Sequence, residues 1–241
     1  MLHRTSGIII HTVKYSESSL IARIYTSEFG IQSYMVSGVR GKKSKNKSAL
    51  FQPLSLVDLI VSNSNKTGLH RISEISLLHP FNDIPKNIIK STIVIFLNEI
   101  LYKVLKEEHP DLPLFEYIKQ ALLILDMKQE NCANFHIYFL IQLCSYLGFA
   151  PHGKPDHINK FFDLKEGQFI PEITSHLYFL NEENTTNFYE FMNAGTEDFH
   201  LIQINRFQRK ELLQALIYYY QFHIASFGEL KSLSVLEEIT A

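Results

Sequence analysis

The chain has 241 residues, 46% of them hydrophobic and 20% charged, with 18 Phe, 12 Tyr and no Trp. This composition excludes an intrinsically disordered chain and predicts one large or two small globular domains whose core rests on Phe, Leu and Ile. The net charge of −2 hides an asymmetry: residues 1–80 hold ten Lys/Arg against four Asp/Glu, a net +6, while residues 81–241 hold 13 against 21, a net −8. A basic first third on an acidic remainder points to an anionic partner for the basic part.

Apolar runs such as Ile93–Leu97 and Ile137–Ile141 stop at five residues, far short of the ~20 of a membrane span. Ile8–Ile10 is too short for a signal-peptide core of ~7–15 residues. Cys132 and Cys144 both sit in apolar helical pattern. Two buried thiols fit a reducing cytoplasm, so a cytoplasmic location is expected.

In chain order, residues 7–15 are β-branched and aromatic and predict a strand. Glu17-Ser18-Ser19 is a turn. Residues 20–27 form a second strand with Leu20, Ala22, Ile24 and Thr26 on one face and Ile21, Arg23, Tyr25 and Ser27 on the other. Residues 31–37, 54–62 and 69–78 complete a set of five, which suggests a small closed barrel or a sandwich. His79–Pro85 breaks the pattern, with Asp83 as a helix N-cap and Pro85 in the first turn. From Ile88 to Leu105 the apolar period is helical, and further helices are expected at about 112–127, 133–147, 184–194, 206–227 and 234–239. The helix at 133–147 is apolar nearly all round and is expected at the centre of a bundle. Between them, 151–180 is irregular, with Phe161–Leu164 and Gln168–Ile170 forming a short hairpin around Gly167. The resulting division is residues 1–80 and 81–241.

Catalytic signatures are missing. The phosphate-loop pattern nearly forms at Gly41-Lys42, but Val36 stands at the first glycine position and Lys43 where a metal-binding hydroxyl belongs. His152 and His157, with Asp156 and Asp163 nearby, are possible metal ligands, but without Cys they read better as a polar surface loop. Glu107-Glu108, Glu182-Glu183 and Glu237-Glu238 are sequence neighbours, which point ~100° apart on a helix and read as solvated faces. One constellation stands out. Arg40, Lys42, Lys43, Lys45 and Lys47 place five cations in eight residues, beside Gly38 and Gly41 and without a carboxylate. Such a loop either tracks a phosphate chain or solubilises the surface. Lys14, Lys66 and Arg71 add charge. Arg23 and Tyr25 share a strand face, which suits base stacking in a single-strand binder or ordinary packing against the helical half.

Gly7-Ile8-Ile9-Ile10, Tyr15-Ser16-Glu17-Ser18-Ser19-Leu20, Tyr25-Thr26-Ser27-Glu28-Phe29-Gly30, Gly38-Val39-Arg40-Gly41 followed by lysines, and Leu50-Phe51-Gln52-Pro53 resemble in order and spacing the start of the bacterial RecO recombination mediators. Leu147-Gly148-Phe149-Ala150-Pro151 and Leu230-Lys231-Ser232-Leu233 agree more loosely. The resemblance implies an α+β protein: an N-terminal five-stranded OB-fold β-barrel, then an all-α helical domain with a short hairpin insertion. It implies binding to single- and double-stranded DNA, annealing of complementary strands, and pairing with RecR. It also implies help in loading RecA onto DNA coated by single-strand-binding protein. Many members carry a Cys-rich zinc module in the helical domain. The corresponding stretch here, about 151–175, has no Cys, so no metal or other cofactor is expected and the Phe-rich hairpin is expected to pack in its place. A pocket for the tail of single-strand-binding protein is implied too, and Arg206, Arg209 and Lys210 are a candidate for it. No membrane partner is expected. The same electrostatics would serve an RNA- or ribosome-associated OB module, and an enzyme with an unrecognised site is the remaining alternative.

Overall fold

In the computed structural model, residues 2–38, 48–62, 68–106, 108–128 and 132–240 are described. The first strand, β1 (Leu2–Lys14), begins five residues earlier than its β-branched pattern indicates. Its length lets it pair on both sides, with β4 (Leu56–Ser62) through Leu2–Ile8 and with β2 (Leu20–Thr26) through Gly7–Lys14. A register shift between Ile9 and His11 bends it between the two partners. With β3 (Gly30–Val36) and β5 (Leu69–His79), the strands close in the order β1-β2-β3-β5-β4. All pairings are antiparallel except β3 with β5, which is parallel and three residues long. This is the five-stranded Greek-key barrel of the OB-fold.

The barrel interior follows the predicted alternation. Leu20, Ala22 and Ile24 of β2 meet Ile9, Tyr34, Val36, Val57, Leu59 and Val61 inside. A single 3-10 turn, Ala49–Phe51, delivers Phe51 to the same core.

The chain divides into two compact units: Met1–Lys86 with Val94–Leu123, and Asn87–Ile93 with Ile124–Ala241. The helical stretch Val94–Leu123 therefore clusters with the barrel. It comprises most of α1 (Ile88–Val104) and of α2 (Leu112–Met127). The N-cap expected at Asp83 lies elsewhere: the Asn87 carboxamide oxygen accepts from the Ile89 and Lys90 amides, while Asp83 closes a separate turn through its carbonyl to the Lys86 amide. Pattern alone could not choose between two capping residues four positions apart.

In the second unit, α3 (Phe135–Tyr146) is buried on nearly every side, as its composition predicts. Around it run α4 (Glu182–Asn193), α5 (Arg206–His223) and α6 (Leu233–Ile239). Asn181 caps α4, and Asn205 with Gln208 forms a full capping box on α5. The last helix turn expected up to 227 is not made. Ile224 turns extended (φ −121°, ψ 113°) and Ser226 takes φ +63°, so that Phe227 folds back onto Tyr220 at 5.4 Å. The hairpin of β6 (Phe161–Asp163) and β7 (Gln168–Ile170) forms, and β8 (Phe179–Leu180) adds a third strand. Its Phe162 packs against Phe169 at 5.0 Å, Phe188 at 4.6 Å and Tyr219 at 6.0 Å.

His136 of α3 is fully buried, and burial together with Arg209 holds its pKa down to about 3. The unfolded chain takes up this proton near the ordinary value of 6.5 and the folded chain does not, so stability is present above pH 6.5 and is lost as pH falls toward 3. Between pH 6.5 and 5 this one group removes about 2 kcal/mol. Denaturant unfolding of His136→Gln is expected to show a smaller loss between pH 7 and 5 than the parent chain. An equal loss in both would exclude this source.

Candidate nucleic-acid interface

The predicted site residues separate into three groups. Arg40, Lys42, Lys43, Lys45, Lys47 and Lys66 lie outside the described residues. Lys14 and Arg71 are exposed on the barrel. Arg23 and Tyr25 are engaged within the first unit. The Arg23 guanidinium donates to the Leu105 carbonyl at 3.0 Å, just past the C-terminus of α1, and lies 5.3 Å from the Tyr102 ring centre. Tyr25 is 2% exposed, its ring is 5.9 Å from Phe115, and its hydroxyl donates to the Asp111 carbonyl at 3.1 Å. Burial pushes its pKa up. Base stacking at Tyr25 is thereby corrected to packing, because helical residues cover this face of β2.

Removing the Tyr25 hydroxyl leaves a part-buried carbonyl without its donor. Tyr25→Phe is expected to cost about 1 kcal/mol of stability by denaturant titration. Oligonucleotide affinity should stay within about twofold of the parent, well under the ~1–3 kcal/mol of a lost base stack.

The outer surface that remains open follows from strand register. Val13 pairs with Ile21, Ile21 with Met35 and Met35 with Arg71, so these side chains form one outward row across four strands. Beyond Arg71, β3 and β5 diverge. A groove of about 550 Å³ opens between them, lined by Met35, Val36, Ser37 and the β5 stretch Arg71–Ile75. The chain leaves β3 at this groove and enters the segment holding the five clustered cations. Tyr15, 62% exposed and next to Lys14, is an aromatic group the sequence reading passed over. Its place just after β1, in a turn closed by its amide to the Ser19 carbonyl, was the available signal. Arg4 is exposed but committed to Asp58 at 2.7 Å.

In the second unit, Arg209 is tied down on three sides: Nε donates to Asn134 Oδ1 at 2.8 Å, Nη1 to the Thr240 carbonyl at 2.9 Å and Nη2 to the Ile204 carbonyl at 3.4 Å. It anchors the end of the chain while staying partly exposed. Lys210 pairs with Glu237 at 3.0 Å, and Arg206 is exposed beside them at a groove of about 240 Å³. His152 and His157 are exposed and make no joint site. Asp156 accepts from the Ile158 and Asn159 amides, which hold its pKa down, while Asp163 caps the hairpin through the Lys165 and Glu166 amides. Among the described residues, no three His, Cys, Asp or Glu side chains gather in a way that could hold a metal ion. No helix among them is long and apolar enough to cross a membrane.

Comparison with known proteins decides the family. The model for the recombination protein O N terminal matches residues 1–81, and that for its C terminal matches residues 85–234. The chain belongs to the RecO family. A curated relative from Bacteroides fragilis, named DNA repair protein RecO, is 36% identical over 242 residues, covering 99% of each chain. Relatives of the same name from Flavobacterium psychrophilum and Porphyromonas gingivalis are 36% and 27% identical, covering 98% and 99% of each chain. The two family matches meet between residues 81 and 85, the proline-containing break after the barrel. The OB-fold barrel followed by helices is thus the architecture of a RecO chain.

Proposed function

We propose that this RecO-family chain is a non-enzymatic DNA-binding mediator of repair and recombination. It binds single- and double-stranded DNA on the barrel, anneals complementary strands and, with RecR, assists RecA loading onto DNA coated by single-strand-binding protein. The observation that carries the reading is the joining of a family match over both parts of the chain to a barrel whose β3–β5 groove opens where the five-cation segment begins. Phosphate neutralisation by that segment, Lys14 and Arg71 lets two like-charged strands approach, and contacts confined to the backbone carry little sequence preference. Tyr15 takes the stacking role first assigned to Tyr25. The acidic second unit is left for protein partners.

Strand annealing tests the reading. The full chain is expected to speed pairing of complementary oligonucleotides, with and without single-strand-binding protein of the same source. It should favour DNA over RNA of equal sequence in competition. Absence of acceleration in low salt would refute the annealing role, and a preference for RNA would point to the 2′-hydroxyl as the recognised group.

A further inference from the structure

The outward row Val13–Ile21–Met35–Arg71 has a neighbour. Two residues further along the strands, His11 pairs with Arg23, Arg23 with Ser33 and Ser33 with Leu69. Helix α1 reaches this second row through Tyr102. Its ring centre is 4.9 Å from that of His11 and 5.3 Å from the Arg23 guanidinium carbon. Arg23 is itself fixed by donating to the Leu105 carbonyl at 3.0 Å. Tyr102 is thus held from the barrel side, yet 41% of it stays exposed. Tyr25, two residues beyond Arg23 on β2, is covered instead and packs on Phe115.

We propose that Tyr102 is a stacking platform for an unpaired base, and that it distinguishes single strands from duplex on this face. The inference rests on the nucleic-acid role proposed for the barrel. The occupant follows from the charge and polarity of the two rows. They carry no carboxylate; Arg23 and Arg71 lie in them, and Lys14 follows Val13. Between these cations stand Val13, 51% exposed, with Ile21 and Met35. Cations around an apolar and aromatic strip match a chain of phosphates with bare bases between them. The Tyr102 ring is ordered by the guanidinium beside it before any ligand arrives, so stacking a base on it loses less conformational freedom. Arg23 uses one N–H on Leu105 and has further donors for the phosphate next to the stacked base.

Discrimination follows from what a duplex hides. Paired bases lie stacked on their neighbours and present only their edges in the grooves. Both forms of DNA present phosphates, so the cations serve both. A single strand alone can lay a base face on Tyr102. Loss of the ring therefore weakens single-strand binding and leaves duplex binding as it was. It also leaves the salt dependence unchanged, because a stacked ring releases no counterion.

In the full chain, Tyr102→Ala is expected to bind oligothymidylate about tenfold more weakly than the parent, with the same salt slope and with affinity for a hairpin duplex within about twofold. Tyr102→Phe keeps the ring and should bind as the parent does. Tyr102→Leu keeps the bulk and should lose single-strand affinity without a change in melting temperature. The chain has no Trp, so Tyr102→Trp places the sole indole at the site. Oligothymidylate at saturation is expected to quench its emission, and the duplex to leave it nearly unchanged. Unaltered single-strand affinity in Tyr102→Ala and Tyr102→Leu overturns the proposal. So does an equal loss for both probes, or indole emission indifferent to oligothymidylate. A parent chain that binds neither probe in low salt would sink the nucleic-acid reading itself, and this inference with it.

Discussion

Replacing Arg40, Lys42, Lys43, Lys45 and Lys47 together with Ala is expected to lower single-stranded DNA affinity roughly a thousandfold in ~0.1 M salt. Each phosphate neutralised on a single strand adds about −0.7 to the slope of log affinity against log salt, so four or five contacts contribute about −3. The variant should therefore lose both affinity and most of its salt dependence, and the two curves should converge in high salt. Folding should be untouched, since a segment this polar has no core to contribute. Anisotropy titrations at several salt concentrations measure this directly. An unchanged slope would remove the segment from the interface and leave Lys14, Lys66 and Arg71 as the remaining cations of the first third proposed for it.

The largest stability effect is expected at a glycine. Gly30 opens β3 with φ +62°, and a Cβ there would lie 2.4 Å from the His109 carbonyl oxygen and 2.8 Å from its carbon. Gly30→Ala thus meets two penalties. The left-handed backbone costs a non-glycine residue about 1–2 kcal/mol. The clash is with backbone, which has no alternative rotamer, and adds about 1–3 kcal/mol. A loss of about 2–5 kcal/mol is a large fraction of a domain's stability. The urea midpoint of Gly30→Ala should fall accordingly, while Gly38→Ala, where φ is +72° and no atom lies within 4 Å of the Cβ, should lose the backbone share alone. Equal losses at the two positions would show that the His109 contact relaxes freely.

These two expectations draw on different sources. The five cations are visible in the chain as written, because charge density needs no fold to be counted. The Gly30 clash is not, because His109 is 79 residues away in sequence and meets the turn only once the helical stretch has packed on the barrel. Tyr25 shows the same boundary from the other side. Alternation along β2 assigned Arg23 and Tyr25 to one face and Leu20, Ala22 and Ile24 to the other, and the barrel core has that arrangement. What lies over the outer face is a long-range matter, and Leu105, Asp111 and Phe115 occupy it. Arg209 repeats the lesson. A basic triplet on a helix looks available until Asn134, Ile204 and Thr240 converge on one member of it.

By itself the amino-acid order determined the change from strand to helix near residue 80, the two faces of each strand, the central apolar helix and the lopsided charge. Those properties rest on local periodicity and composition, which each segment carries wherever it is placed. The tertiary structure decided which exposed-looking groups are spent internally: Tyr25 and Arg23 under helical residues, Arg209 at the chain's end, Asp156 and Asp163 in turns. It also decided which aromatic side chains are left outside, Tyr102 of α1 among them. Availability is a property of what packs against a residue, and that is set by partners distant in sequence.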